Sequence, residues 1–365
     1  LAGLKNAMQL STLKLNETRI NDAALAGLLE LPKLTRLEVS STRITDATLV
    51  RITRAKRLVY GPHVTGDGTL AERLNYLDIY GTNVTGDGIR RLGALTGLRE
   101  LYAGGTGADD ASIAALGELG DLFRLDLQGT RITDASLETI GKFKNLNSLN
   151  LSGTAVTGST LSKLSGIEEL RTLNLAGTGT SNETLDTITQ FLVRAVHSNG
   201  SGGGFAWLNK LILTDTEISD AGLKNLSRLK HLFALHLDGT KVGDKGLEQI
   251  ALLPDLQDLW LDRTGVSDTG LAGLSNSHKL RTLSLKRTEI TDEALTQIGG
   301  PIQELALSHT RVSDTGLRTL ASKEQLQVLE LAGTAVTDSG LETIAQLPNL
   351  RVIDLGATSI SDLGV

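Results

Sequence analysis

A repeat of 24 residues narrows what this chain can fold into more than any other feature. Leu122, Leu125, Leu127, Thr130, Ile132, Asp134 and Leu137 mark one copy, and the form LxxLxLxxTx[IV][TS]DxxLxxLxxL recurs along the 365 residues. Set on its Thr, the repeat has anchors at 18, 42, 82, 106, 130, 154, 178, 216, 240, 264, 288, 310, 334 and 358. One degenerate turn near Pro62 falls between the second and third anchors, which makes about fifteen turns. A unit this short cannot bury its own apolar face, so each copy must stack on its neighbours.

The period converts into geometry. Leu125 and Leu127 alternate with Arg124, Asp126 and Gln128, which predicts a short strand with its leucines inward and its polar side chains outward. Beyond the anchor Ile132 turns inward, and Leu137 and Ile140 stand at helical spacing, which predicts a short helix. The expected fold is an α/β solenoid, a curved right-handed superhelix with a parallel β-sheet on its concave face and short helices on its convex face. Two arrays are expected, residues 1–191 and 208–365, joined by an insertion or flexible loop at 192–207, within one continuous solenoid.

Composition sets further limits. Aromatics make up 3% of the chain against 40% hydrophobic residues, which suits a thin core of identical slots. A net charge of -6 argues against nucleic acid as a partner, because neutralising phosphates needs surplus clustered Lys and Arg. No apolar run approaches the roughly 20 residues that cross a bilayer, so no membrane insertion is expected of these residues. Without cysteine there are no disulfides, thiolate metal sites or covalently attached haem here, and no cofactor is expected. Cysteine usage leaves the compartment open; an extracytoplasmic or cell-surface location in a bacterium is the favoured reading. Leu1, Gly3 and Leu4 read as the middle of a repeat and Ile360 to Val365 as an unfinished one, so the native protein is expected to be longer.

Two polar ladders accompany the leucines. Asp stands four residues after the anchor at 22, 46, 110, 134, 220, 244, 268, 292, 314, 338 and 362, replaced by Gly66, Gly86, Gly158 and Asn182 elsewhere. An Asp opening a helical stretch is expected to cap it and to complement its dipole; Gly and Asn substitute for such a cap but are poor calcium ligands. The Thr hydroxyls are expected to bond backbone groups left open where each strand bends.

The pattern LxxLxLxxTxITDxGL, as at Thr264, Val266, Asp268 and Leu271, resembles the cysteine-containing class of leucine-rich repeats found in F-box proteins, in a bacterial variant with Thr where that class carries Cys or Asn. The resemblance implies recognition of a protein or other ligand on the concave face. Bacterial relatives are often joined to other modules, c-type cytochromes among them, but neither an F-box nor a CxxCH motif occurs here.

Regularity breaks twice. From Thr178 to Thr216 the spacing is 38; Leu185, Ile188, Phe191, Leu192, Ala195 and Val196 extend an apolar helical face, and the Gly- and Ser-rich run 198–204 follows. That run is expected to be mobile and dispensable, and its glycines are no phosphate loop, lacking a following GK[ST]. Between 51 and 70, Arg51, Arg54, Lys56 and Arg57 cluster beside a shortened turn, as a solvated helix face or an anion-binding patch.

No Ser-His-Asp, HExxH or GxSxG arrangement appears, so neither catalytic residues nor metal ligands are expected. The candidate sites are outward positions two, four and six residues before each anchor. On that grid all four tyrosines, Tyr60, Tyr76, Tyr80 and Tyr102, face outward in neighbouring turns with Asp78, Glu100 and Arg124 around them. Tyr with Arg is typical of binding hot spots. His236, Asp238, Trp260 and Asp262 form a second, smaller cluster, with Lys286 continuing the Asp row and expected to neutralise it in part. The expected function is a non-catalytic scaffold for a protein or peptide ligand, with a carbohydrate surface or a recognition arm of a larger enzyme as alternatives.

Overall fold

The computed structural model describes residues 4, 6–27, 31–54, 59–60, 64–65, 70–197 and 207–362. It divides into two units, Leu1–Asn174 with Arg194–Phe205, and Leu175–Val193 with Ala206–Val365. The Gly- and Ser-rich run 198–204 lies outside the described residues, whereas the expected lengthened helix is present as Asn182–His197.

The first unit carries a parallel sheet in the order β1 (Thr12–Lys14), β2 (Arg36–Glu38), β5 (Tyr76–Asp78), β6 (Glu100–Tyr102), β7 (Arg124–Asp126), β8 (Ser148–Asn150) and β9 (Thr172–Asn174). The second carries β10 (Lys210–Ile212), β11 (Ala234–His236), β12 (Asp258–Trp260), β13 (Thr282–Ser284), β14 (Glu304–Ala306), β15 (Val328–Glu330) and β16 (Val352–Asp354), again all parallel. Each strand meets the next in the register that the period dictates, so that Leu101, Leu125, Leu149 and Leu173 form one ladder and Leu235, Leu259, Leu283, Leu305 and Leu329 another. Within one turn Leu122, Leu125, Leu127, Ile132, Leu137, Ile140 and Phe143 are all at most 1% exposed. Truncating one of them to Ala would cost about 2 to 5 kcal/mol.

The degenerate turn departs from expectation. Val59–Tyr60, β3, pairs antiparallel with Val64–Thr65, β4, in a separate two-stranded sheet, and β2 pairs directly with β5. With the anchor at Pro62 the two strand leucines would fall at positions 57 and 59, which are Arg and Val, and 40 residues from Thr42 to Thr82 are too few for two full turns. Fourteen turns therefore carry a parallel strand among the described residues.

Each anchor Thr donates its hydroxyl to the carbonyl three residues earlier, at 2.5–2.7 Å, as Thr130 does to Leu127 and Thr288 to Leu285. The residue before it is left-handed in all fourteen turns: Gly in seven, and Glu17, Ser41, Asp215, Arg263, Arg287, His309 and Ala357 in the rest. The chain turns sharply out of the strand there, and the Thr closes the bend.

The Asp ladder does something other than cap. The N-cap position is held by the Asn, Thr, Ser or Gly before it, in extended conformation, and the Asp is the first helical residue. At that position the carboxylate lies beside the helix start and reaches the next turn, where it accepts the cap residue's N–H and, where there is one, its hydroxyl. Asp22 thus holds Thr45, Asp110 holds Thr133, Asp244 holds Ser267, Asp268 holds Thr291 and Asp314 holds Thr337. The dipole contribution stands, since the charge remains in the first helical turn. The ladder also explains the small residue that follows two positions later: a Cβ on Gly246, Gly270 or Gly340 would overlap the carboxylate of the preceding turn's Asp220, Asp244 or Asp314. Where Gly86 replaces the Asp, the next cap is Asp109, which closes its own capping box with Ser112.

Candidate functional site

Because inward positions are filled by leucines and the turn edges by Thr and Asp, chemistry is left to the outward strand positions. In the first unit these gather a continuous cluster over β1, β2, β5, β6 and β7. Removing the degenerate turn from the sheet brings Arg36 directly opposite Tyr76. The Arg36 guanidinium lies 3.4 Å from the Tyr76 ring centroid, and the Tyr102 ring stands 5.2 Å away, tilted by 37°. Tyr76 is thereby held between a cation and a second ring. Burial, then Tyr102, pushes its phenol well above the ordinary range while Arg36 pulls the other way, so the hydroxyl remains protonated.

Arg36 is fixed in turn. It donates from Nε to Glu38 Oε1 at 2.6 Å, and Glu38 also takes Lys14 at 3.2 Å and Asn16 at 3.0 Å. Glu38 is 6% exposed; burial alone would raise its pKa, but its bonds to Arg36, Lys14 and Asn16 outweigh that and lower it. On the far side Tyr102 donates to Glu100 at 3.2 Å, and Arg124 approaches Glu100 at 3.9 Å. Tyr80 is 38% exposed and lays its ring over Gly104, where a Cβ would meet its ring carbons at 2.8 Å. Asp78 is half-buried beside Tyr102 in the sheet register, its pKa raised by burial, with Glu38 and Asp126 adding to the rise.

Of the expected residues, Tyr76, Asp78, Tyr80, Glu100, Tyr102 and Arg124 come together on this face. Tyr60 lies in β3, which belongs to the two-stranded sheet and not to the parallel one. Arg36 and Glu38 are additional members. Both sit on the same outward grid, six and four residues before Thr42, but counting a fifteenth strand placed them one strand too far from Tyr76.

In the second unit His236 and Trp260 stack almost flat, with centroids 3.8 Å apart and planes 4° apart, and Lys210 lies 5.9 Å from the Trp260 ring. Adjacent in-register strands place both rings in one row. Burial, then Lys210, pushes the His236 imidazole down to about 4, and its Nε2 is buried without a hydrogen-bond partner. Asp238, 4.0 Å from His236, accepts from the Asp262 N–H and the Thr214 hydroxyl, both at 3.1 Å. Burial raises the Asp238 pKa, with the Asp262 charge adding to it. Lys286 does not neutralise these carboxylates: its ammonium pairs with Glu330 at 2.6 Å, reaching across β14. Among the described residues no group of three His, Asp or Glu side chains is arranged to hold a metal, and no helix is long and apolar enough to cross a membrane.

The leucine-rich-repeat family model, described as "Leucine Rich repeat", matches residues 206–227, 228–251, 276–299, 301–321 and 325–345, together less than a third of the chain. Among solved structures, an internalin (inlF) from Listeria monocytogenes is 23% identical, covering 93% of this chain and 84% of its own, with a TM-score of 0.61. A leucine-rich-repeat protein of Leptospira interrogans is 18% identical, covering 100% of this chain and 94% of its own, with a TM-score of 0.56. The chain is a leucine-rich-repeat solenoid. No curated protein matches its sequence. Identity at this level carries the fold to the solenoid but leaves its ligand to be argued from its own outward residues.

Proposed function

We propose that this leucine-rich-repeat solenoid is a non-catalytic binding scaffold that takes a protein or peptide ligand on the outward face of its sheet, with the tyrosine cluster of the first unit as the principal contact. The observation that carries the reading is the cluster of Arg36, Tyr76, Tyr102 and Arg124 across two rows of the sheet: two guanidiniums and two rings, each tied to a neighbour before any ligand arrives. Rings fixed in advance lose little conformational entropy on binding, and Tyr and Arg are the residues that most often dominate protein interfaces. A solvated sheet face has no need of such a cluster, and the rest of the grid largely uses Ser, Thr, Asn, Asp and Ala. Placing the chain in the bacterial Thr-bearing variant of these repeats belongs to the same reading and is supported by Thr at fourteen anchors.

The test compares wild type with the triple variant Tyr76→Ala, Tyr80→Ala, Tyr102→Ala. A partner recovered on immobilised wild-type protein is identified and purified, and both proteins are titrated with it by calorimetry. The triple variant should retain its circular dichroism and bind at least about 30-fold more weakly. A folded variant with unchanged affinity refutes the assignment of the site.

A further inference from the structure

Beside Trp260, on the side away from His236, the second unit holds a hollow of about 100 Å³ lined by Trp260, Asp262, Ser284, Lys286, Glu304, Ala306, Val328 and Glu330 among others. Its floor is low because the row that carries His236 and Trp260 continues with Ser284 and Ala306, both small. One wall is the indole. The opposite rim is the Lys286–Glu330 ion pair, which spans the gap that Ala306 leaves. The volume is well below the roughly 300 Å³ at which small-molecule sites begin, and suits a single side-chain head group.

Carboxylates outnumber cations in this lining. Asp262, Glu304 and Glu330 face it against Lys286 alone, and that ammonium is committed to Glu330. Asp262 accepts from the Ser284 hydroxyl and the Lys286 N–H and, among the described residues, forms no ion pair. Glu304 is exposed and, among the ion pairs of the described residues, has none. His236, neutral at physiological pH, stacks on the indole and sets no positive charge against it.

From this geometry we infer that the hollow beside Trp260 is a subsite for a basic side chain, arginine before lysine, of a protein or peptide ligand: the cation lies on the free indole face and its donors meet Glu304 and Asp262. A planar guanidinium stacks on an aromatic face and offers several donors at once, which an ammonium does not. The inference rests on the reading of the outward face as a peptide-binding surface, but on different residues from the tyrosine cluster.

The test uses blocked tripeptides, acetyl-Gly-Arg-Gly-amide and its neutral citrulline counterpart, titrated into the 365-residue chain carrying Trp207→Phe so that Trp260 is its sole indole. The arginine peptide should change the Trp260 emission saturably, with a dissociation constant on the order of 1 to 10 mM, and the citrulline peptide should bind at least about fivefold more weakly. Glu304→Gln should weaken the arginine peptide about fivefold, whereas Lys286→Gln, which frees Glu330, should tighten it about twofold. Loss of structure would weaken binding in both variants, so the opposite signs separate the charge effect from damage. Equal binding of the citrulline peptide, or no response to Glu304→Gln, overturns the proposal. The tyrosine triple variant should bind this peptide as wild type does, so failure here is distinct from failure of the principal site.

Discussion

Replacing Asp268 by Ala tests whether the Asp ladder staples one turn to the next. Asp268 Oδ1 accepts the Thr291 N–H at 2.8 Å and Oδ2 accepts the Thr291 hydroxyl at 2.5 Å. Both are bonds to a charged acceptor, worth about 1.5 to 3 kcal/mol each when buried, and this site is only part-buried, so water recovers some of the loss. The expected cost is about 2 to 3 kcal/mol in the second unit. Asp268→Asn should cost less than about 1 kcal/mol, because the fold already contains that arrangement: Asn182 Oδ1 accepts the Ser219 N–H and Nδ2 donates to the Ser219 hydroxyl, each at 2.9 Å. Glu293→Ala, an exposed carboxylate in the adjoining helical turn, is the control and should stay within about 0.5 kcal/mol. Repeat arrays lose all-or-none behaviour, so the readout pairs urea denaturation with hydrogen exchange at the Thr291 amide, whose protection should fall in the Ala variant. If Asp268→Ala costs no more than the control, the ladder is decoration and stacking rests on the leucines alone.

Two further outcomes follow from the same structure. Arg287→Gly should raise stability by up to about 1 kcal/mol in denaturant titrations, because Arg287 holds φ at 58° and Gly takes that conformation without strain, offset in part by its looser unfolded chain. Stability should also fall on acidification in two stages. Between pH 6.5 and about 4 the unfolded chain protonates a histidine that the folded state keeps neutral, a loss of up to about 3 kcal/mol that His236→Gln should remove. Below the ordinary Asp value of 3.8, the carboxylates of Asp22, Asp110 and Asp338, whose hydrogen bonds lower their pKa values, give up their staples in turn.

The strands, their register and the leucine core were legible from the sequence because a strict period leaves only one way to stack identical slots. The Asp role was legible only in part. Sequence shows a carboxylate at the opening of a helix, but whether it bonds its own helix or the next turn depends on a displacement of one residue, and the Asn, Thr, Ser or Gly before it holds the N-cap position. The unusual backbone was marked by Gly before seven anchors and hidden before the other seven by residues as different as Arg287 and Ala357. A period that lapses gives no register, so the stretch around Pro62 read as a turn of the sheet although its strands pair with each other.

That one miscount decided how well the first site could be read. With an extra strand between β2 and β5, Arg36 and Tyr76 are separated by roughly two strand spacings, about 10 Å, and no contact between them is expected. With it removed they are neighbours, and the cluster gains the cation that fixes its central ring. The second site shows the converse. His236 and Trp260 were visible as adjacent outward residues, yet the hollow beside them depends on two small residues further along the row and on an ion pair that steps over a strand. In a solenoid whose inward and edge positions are committed to stacking, specificity has to be written in such departures on the outward grid: a large residue beside a small one, or a charge whose partner lies two strands away.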